Sequence, residues 1–451
     1  MRPDWIPFAT ARLPRYTSYP TAADFADDVD AHAAGQALQK HAPDAPVAAY
    51  VHVPFCEKLC WYCGCATTVP NGYRRVESYV EILHREIDLW ASRLPDHAGL
   101  RHLHFGGGSP NSLSCGDFRG IVTHLRDAFG ARGDLEIDIE LDPRTTTDAF
   151  IETLAAFGVT RASLGVQTLA THVQKAINRI QPRHMVTEKL ARLRALGIRR
   201  INMDLMYGLP LQTVEDVKDA ARYAAVVGAD RVSLFGYAHV PWFAKHQKAI
   251  HDEDLPGLEA RFEQAQAGHE TLVSLGYVPI GLDHYALPDD SLTQALANGT
   301  MKRTFQGYTD NPCDTMIGFG PSSISHLPGG FFQTSKTTPD WQARIDDGAL
   351  PVVRGVLQSA DDRVRARAIE QLMCTLQVDI AEIARETQAP VALLEPALDA
   401  ARNLEPLGLC RVSGTRVDVP EQARMMLRTV AACFDGRLAD AGQQKRHAAA
   451  V

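Results

Sequence analysis

The sequence predicts an α/β fold, a complete or partial (β/α) barrel, on three observations. Short apolar strands alternate with helical stretches of roughly 10–15 residues, the pattern of βαβ units around a parallel sheet. At least six such units can be read along the chain. Residues able to carry chemistry fall at the C-terminal ends of the expected strands, where barrels of this kind build their sites.

The elements are read in chain order. Residues 1–45 are irregular, with Pro14, Pro20 and Pro43 and one helix expected over 31–41. Strands are expected at 48–53, 100–105, 135–141, 161–166, 201–206 and 231–235. Residues 135–141 alternate apolar and acidic side chains, as a half-buried strand does. Helices are expected at 74–94, 117–129, 147–157, 185–196, 214–227 and 258–275, followed by the apolar stretch 278–282. After about Pro351 the pattern turns to helices (361–375, 380–386, 391–403), a strand pair around Ser413 and Gly414, and a last helix over 421–434. Three regions follow: a strap over the active site (1–47), the barrel (48–350) and a small, mostly helical, winged-helix-like domain (351–451). The alanine-rich tail 440–451 is expected to fray.

Composition narrows the function classes. The 451 residues carry 46 Lys plus Arg against 54 Asp plus Glu, a net charge of −8. That balance argues against a nucleic-acid partner, which usually needs a basic face. No run approaches the roughly 20 apolar residues of a membrane span, and residues 1–20 read as neither signal nor transit peptide. A cytoplasmic location and no membrane partner are expected. Nine cysteines in such a chain are metal ligands, catalysts or core residues sooner than disulfides. Cys115, Cys313, Cys374, Cys410 and Cys433 are scattered and are read as packing residues.

The other four cysteines lie within ten residues, from Cys56 to Cys65. Cys56, Cys60 and Cys63 form C-x3-C-x2-C directly after a strand. Thiolates are the usual ligands of iron–sulfur clusters. Three of them leave one iron of a four-iron cube without a protein ligand, a site able to chelate the amino and carboxylate groups of S-adenosylmethionine (SAM). Structural zinc is the rival reading. It prefers four ligands with a second pair at a distance, and no second C-x2-C exists here. Cys65 as a fourth ligand would make an awkward C-x-C. The spacing resembles that of the radical SAM superfamily, with one [4Fe-4S] cluster.

Neighbouring segments resemble one family within it. They are Pro14-Arg15-Tyr16-Thr17-Ser18-Tyr19-Pro20, Tyr50-Val51-His52-Val53-Pro54-Phe55-Cys56, Cys63-Gly64-Cys65 and Phe105-Gly106-Gly107-Gly108-Ser109-Pro110. Glu140-Leu141-Asp142-Pro143, Gly165-Val166-Gln167, Asp204-Leu205-Met206-Tyr207-Gly208-Leu209-Pro210, Tyr237-Ala238-His239 and Phe305-Gln306-Gly307-Tyr308-Thr309 continue the likeness. Together they are similar to the oxygen-independent coproporphyrinogen III oxidases, from about residue 14 to 436.

The resemblance implies oxidative decarboxylation of two propionates of coproporphyrinogen III to the vinyls of protoporphyrinogen IX through a 5′-deoxyadenosyl radical. It also implies two SAM molecules, an unidentified electron donor and a partial (β/α)6 barrel; a monomer is expected. Cys56, Cys60 and Cys63 hold the metal on this reading, and Tyr50 and the non-ligand Cys65 are catalytic. Tyr50, Tyr62, Gly107, Gly108, Ser109, Glu140, Gln167, Arg179, Asp204, Ala238, Phe305, Gln306 and Ile324 bind cofactor. Glycines allow close backbone approach, carboxylates suit an ammonium or hydroxyl, and Arg179 suits a carboxylate bidentately. Arg12, Arg15, Tyr16 and Tyr19 of the strap are candidates for covering the mouth. The chain departs from the family at Ala66, Thr67, Ile180 and Leu287. Two alternatives therefore stay open: another radical SAM enzyme (a methyltransferase or a haem-degrading enzyme), or a haem chaperone.

Overall fold

The computed structural model describes residues 2–131 and 133–438. The tail 440–451, expected to fray, lies outside the described residues.

Two short helices, α1 (Ile6–Ala9) and α2 (Ala31–Leu38), precede the first strand. The chain then runs β1 (Val47–Val53), α3 (Arg74–Ala91), β2 (Leu100–Gly107), α4 (Cys115–Ala128), β3 (Glu136–Leu141), α5 (Asp148–Ala156) and β4 (Arg161–Gln167). It continues through α6 (Thr171–Ala176), α7 (Arg183–Ala195), β5 (Arg200–Tyr207), α8 (Val214–Val226), β6 (Arg231–Gly236) and α9 (Leu258–Ser274). β1 to β6 pair parallel in chain order. Helix starts carry their caps: Thr213 and Asp216 form a reciprocal capping box on α8, which satisfies backbone donors the first turn would leave open. On α3, Val76, Tyr79, Val80, Leu83, Ile87 and Trp90 repeat at helical spacing and are buried, so one face turns to the sheet.

The sheet is wider than the sequence reading. β7 (Val278–Ile280) and β8 (His284–Ala286) add to one edge antiparallel. α10 (Ser291–Ala297) and a hairpin of β9 (Lys302–Thr304) and β10 (Gly307–Thr309) follow. β11 (Thr315–Phe319) then pairs parallel with the other side of β1. β12 (Ile324–Leu327), β13 (Gly330–Thr334), α11 (Thr338–Asp346) and β14 (Val352–Leu357) complete a 12-stranded sheet whose outer strands, β14 and β7, do not pair with each other. The barrel is therefore open. β11 and β13 are buried at every position, so they lack the alternation that marks a half-buried strand. β14 still belongs to this sheet. The change expected at Pro351 thus falls later, at Ser359, which caps the next helix.

That helix, α12 (Ala360–Thr375), leads to β15 (Gln377–Asp379), α13 (Ile380–Thr387), α14 (Glu395–Arg402), β16 (Arg411–Ser413), β17 (Arg416–Asp418) and α15 (Leu427–Ala432). The expected wing is the β16–β17 pair turned at Gly414, and β15 adds a third strand to it. The expected last helix is a 3-10 stretch, Glu421–Met426, followed by the shorter α15.

Residues before β1 act in two halves. Trp5, Ala9, Tyr16 and Tyr19 are buried in the core of the C-terminal helices, and Trp5 Nε1–H donates to the Leu407 carbonyl at 2.8 Å. Ala34, Ala37 and Leu38 of α2 join the core of the large sheet. Among the described residues no helix is long and apolar enough to cross a membrane.

One buried acid links α3 to the end of β11 and to α11. Glu86 Oε2 accepts the Gly320 N–H at 2.7 Å and Trp341 Nε1–H at 3.1 Å. Burial pushes its carboxyl up to about 8. The folded state therefore holds a proton that the unfolded chain releases near pH 4.3. Stability is full below that value and falls as pH rises towards 8, by roughly 5 kcal/mol at about 1.4 kcal/mol per pKa unit. Glu86→Gln keeps the acceptor without the titration. Thermal unfolding at pH 5.5 and 8 should show a fall for the parent chain and a much flatter response for the variant.

Candidate active site

The strands place apolar side chains outward and polar ones inward. Ile137, Ile139, Leu141, Ala162, Leu164, Val166, Ile201, Met203 and Leu205 pack in the main core under the helices. The alternate residues face into the barrel, since successive side chains on a strand point to opposite faces. They meet across strands. His102 Nε2 lies 3.1 Å from Asp138 Oδ2, and Arg161 Nη1 3.6 Å from the same oxygen. Nearer the C-terminal ends, His104 Nε2 lies 3.3 Å from Glu140 Oε1. Ser163 Oγ donates to Asp204 Oδ2 at 3.0 Å, and Asn202 Nδ2 to Asp204 Oδ1 at 2.8 Å. The interior is a polar cup, with its open end where the sequence placed the motifs.

The cysteine loop hangs from the end of β1. None of the nine cysteines is in a disulfide. Cys60 is buried, and its sulfur receives Arg144 Nη2 and Arg179 Nη1, each at 3.3 Å. Asp142 braces both cations, 2.6 Å from Arg144 and 3.2 Å from Arg179. The hydrogen bond from the Cys65 side chain draws the Cys63 thiol down to about 6. Burial pushes the Cys56 thiol up to about 11. Among the described residues no three His, Cys, Asp or Glu side chains are gathered for a single metal ion. Cluster ligands are spread around a cube and need no such closeness. Neighbouring segments fix the loop: His246 Nε2 lies 2.6 Å from the Cys63 carbonyl, Gln247 Nε2 donates to the Tyr62 carbonyl at 2.8 Å, and Asn178 Nδ2 to the Leu59 carbonyl at 2.9 Å. Thiols on one loop, with two guanidinium donors on the Cys60 sulfur, fit an iron–sulfur cluster.

Most of the other expected residues gather behind this loop. Tyr50 stacks on His104 at 5.7 Å, and its hydroxyl lies 3.1 Å from His52 Nδ1. His52 is held neutral by burial and reaches the Ala66 carbonyl at 2.9 Å. That contact uses backbone, so the departure at Ala66 leaves it intact. Gly107 has φ +107, and a Cβ there would lie 2.7 Å from the His52 ring; a Cβ on Gly108 would lie 2.6 Å from the Phe55 carbonyl. The chain's own atoms thus require both glycines. Ser109, beside them, is buried, with its N–H on the Phe55 carbonyl at 2.7 Å. Cys65 is exposed and lies in electrostatic range of Glu140 and Tyr50.

Two carboxyls are driven apart. Burial opposes charge on Glu140, but the His104 contact and the Gly107 N–H hold it below the usual range. Burial, then the charge of Glu140, raises Asp204. Gln167 ends β4 with φ +66, a backbone state that a non-glycine residue holds at a cost of order 1–3 kcal/mol and that clusters at functional sites.

Other expected residues sit differently. Arg179 is buried, with Nη1 on Cys60 and Asp142 and Nη2 on the Gly165 carbonyl; only Nε lacks a partner. The two-pronged carboxylate grip expected from sequence is thus already taken up by the chain. Phe305 and Gln306 lie by the β9–β10 turn, on a separate cavity of about 240 Å³ shared with Tyr16 and Tyr19. Ile324 lies on β12 and its carbonyl crowds Gly318, the partner of Tyr50 across β11 and β1. Ala238 follows β6, its carbonyl accepting Gln247 Nε2 at 3.3 Å. Ile180 is 57% exposed and Leu287 packs against the main core. His52, His104 and Arg144 escaped the sequence reading. The period-2 step from Tyr50 to His52 and from His104 to Gly106 was the signal available for the first two.

A polar barrel mouth with a C-x3-C-x2-C loop defines a radical SAM protein, and the Radical SAM superfamily model matches residues 50–224. The chain is 41% identical over 443 residues to an oxygen-independent coproporphyrinogen III oxidase of Bradyrhizobium diazoefficiens, covering 97% of each. It is 35% identical over 427 residues to the Escherichia coli protein of that name, covering 94% of this chain and 92% of that one. A solved structure of coproporphyrinogen III oxidase from Escherichia coli superposes with a TM-score of 0.90 at 33% identity, covering 95% of this chain and 100% of that one. This chain belongs to the oxygen-independent coproporphyrinogen III oxidase family.

Proposed function

We propose that the chain carries out the oxygen-independent oxidative decarboxylation of two propionates of coproporphyrinogen III, forming the vinyls of protoporphyrinogen IX. The observation that carries this reading is the cysteine loop set over a polar cup, in a chain that aligns with an oxidase of this name over 97% of its length. Each propionate loses a hydrogen atom, CO2 and an electron as it becomes a vinyl, so the reaction needs an initiator and an electron acceptor but no O2.

When bound, a [4Fe-4S] cluster together with SAM would supply a 5′-deoxyadenosyl radical, two SAM molecules per porphyrinogen being part of this reading. Cys56, Cys60 and Cys63 would hold the cluster, with Arg144 and Arg179 steadying the Cys60 sulfur. Glu140, held below the usual carboxylate range, offers an acceptor for an ammonium or hydroxyl; Asp204, raised by burial and then by Glu140, stands beside it and accepts from Ser163 and Asn202. Tyr50, Tyr62, Gly107, Gly108, Ser109, Gln167, Ala238 and Ile324 complete the proposed cofactor contacts, and the free Nε–H of Arg179 is its donor to a carboxylate. Phe305 and Gln306, by the smaller cavity, are the proposed contacts of the second SAM. Reduction comes from an electron donor still to be identified. A cytoplasmic location belongs to the reading, supported by nine unpaired cysteines.

Anaerobic turnover tests it. The chain, reconstituted with iron and sulfide, is given reductant, SAM and coproporphyrinogen III and followed by mass spectrometry. Loss of two CO2 and four hydrogens, with two deoxyadenosines per product, is the expected result. Deoxyadenosine without a porphyrin product would move the substrate elsewhere. An intact cluster with no deoxyadenosine would favour haem carriage instead.

A further inference from the structure

A cavity of about 1090 Å³ opens beside the barrel mouth, between the strap, the ends of β5 and β6, α9 and the start of the last helical segment. Tyr50, Cys65, Glu140 and Asp204 do not line it, but Tyr207 of β5 and Phe235 of β6 do. Its walls carry six arginines (Arg2, Arg12, Arg15, Arg261, Arg424 and Arg428) against three acids, Glu270, Asp283 and Glu421.

The acids are already engaged. Asp283 lies 2.8 Å from His284, Glu421 is paired with Arg424 at 2.5 Å, and Glu270 accepts from Gln266 at 2.9 Å. Arg2 is paired with Asp4 at 2.6 Å. Arg12, Arg15 and Arg261 form no ion pair among the described residues. Arg12 lies over the Trp242 ring at 5.4 Å. Arg15 Nη2 reaches the Gly236 carbonyl at 3.4 Å, and Arg261 Nη2 the Tyr237 carbonyl at 2.8 Å. Burial, then the charge of Arg15, lowers Arg428 to about 10. Asp283 lies in electrostatic range of Arg15, but Arg12, Arg15 and Arg261 together still outnumber that one acid.

The strap that presents Arg15 is fixed from below. Arg303 donates to the Tyr16 carbonyl at 3.1 Å and the Arg15 carbonyl at 3.3 Å, and Arg428 Nη1 to the Leu13 carbonyl at 3.2 Å. Backbone grips of this kind hold the strap while its own guanidinium groups face the cavity. Guanidinium matches a carboxylate bidentately, and aromatic walls (Trp5, Tyr207, Phe235, Phe262) suit a large apolar ring.

We propose that Arg15 and Arg261, with Arg12 at the rim, clamp the carboxylates of the two propionates that the reaction leaves intact. The inference rests on the proposed function for the identity of the tetrapyrrole. Because the cavity avoids Tyr50, Cys65, Glu140 and Asp204, a carboxylate held in it lies away from the reacting end. The strap and α9 thereby anchor one side of the substrate and leave the other facing the barrel.

Arg15→Gln and Arg261→Gln test the clamp in the reconstituted enzyme. Arg15 is exposed, so its replacement spares the core even if the Arg261 variant folds poorly. Each should raise KM for coproporphyrinogen III about tenfold, the scale of a lost charge-assisted hydrogen bond, with a smaller change in kcat. Mesoporphyrin IX, which keeps only the two propionates in question, should bind both variants about tenfold more weakly by fluorescence quenching. Unchanged KM would overturn the clamp. So would mesoporphyrin binding equally to parent and variants, which would assign these arginines to the reacting propionates or to neither. If the parent enzyme makes no protoporphyrinogen IX, yet mesoporphyrin still binds more weakly to the variants, the proposed reaction fails and the carboxylate clamp stands.

Discussion

Cys60→Ala should abolish both the broad visible absorbance of the reconstituted cluster and all formation of deoxyadenosine. Cys60 is the most enclosed of the three thiols in C-x3-C-x2-C, at 7% exposure. Its sulfur is the acceptor for two guanidinium groups. Removal takes a ligand from the cluster and leaves Arg144 and Arg179 facing each other with Asp142 as the acid between them. Water in the space would not restore a soft anionic ligand. Arg179→Ala should have a graded effect, roughly 10–100-fold in cluster retention, as outer partners of metal ligands do. Cys65→Ser should keep the absorbance while losing turnover, because Cys65 is expected beside the cluster and not on it. Iron and sulfide analysis with absorbance on the three variants separates these outcomes. A cluster retained in Cys60→Ala would remove it from the ligand set.

The fold was legible where two periods coexist. Strands such as β4 alternate Ala162, Leu164 and Val166, all buried, with Ser163 and Gly165, which are less so. The helices between strands carry apolar faces and caps. Alternation fails where both faces are covered. β11 and β13 have no exposed face to show the period, and each is only five residues long, so the extension of the sheet beyond β1 was hidden. The strand β14, just past the cut drawn at 350, pairs with β13, a pairing that no local pattern in Val352–Leu357 announces. The early division of the strap was equally hidden, because Trp5 and Tyr16 join a core that lies some 350 residues further along the chain, and no local pattern encodes a contact of that range.

The site was legible as a set of strand ends and less so as a set of contacts. Expected strand ends put Cys56, Cys60, Cys63, Glu140, Gln167 and Asp204 at one mouth. It could not say what each side chain already holds. Arg179 reads as an open cation in sequence, yet its two terminal nitrogens are used by Cys60, Asp142 and the Gly165 carbonyl. Gly107 and Gly108 read as room for a ligand, yet His52 and Phe55 occupy that room. Arg261 has no motif around it and gains meaning only because the strap folds across it.

Glu140→Gln should weaken SAM binding about 10- to 100-fold with the cluster unchanged, the range expected when one or two charge-assisted hydrogen bonds are lost. Glu140 touches no cysteine hydrogen bond, so the loop it faces keeps its own partners. Its carboxylate accepts the Gly107 N–H at 3.2 Å and sits 3.3 Å from His104. Glutamine retains one acceptor for these and removes the charge, which is the part a cationic sulfonium or ammonium would feel in a partly dry cup. The same change acts on Asp204, whose carboxyl is raised by burial and then by Glu140. Without that neighbour, Asp204 ionises at lower pH. The pH dependence of SAM binding should therefore shift towards acid in the variant as well as weaken. Calorimetry of SAM on reconstituted protein at two pH values reads both effects. Weaker binding with no acid shift would leave Glu140 as a contact uncoupled from Asp204. Unchanged affinity would place the SAM site away from β3 altogether.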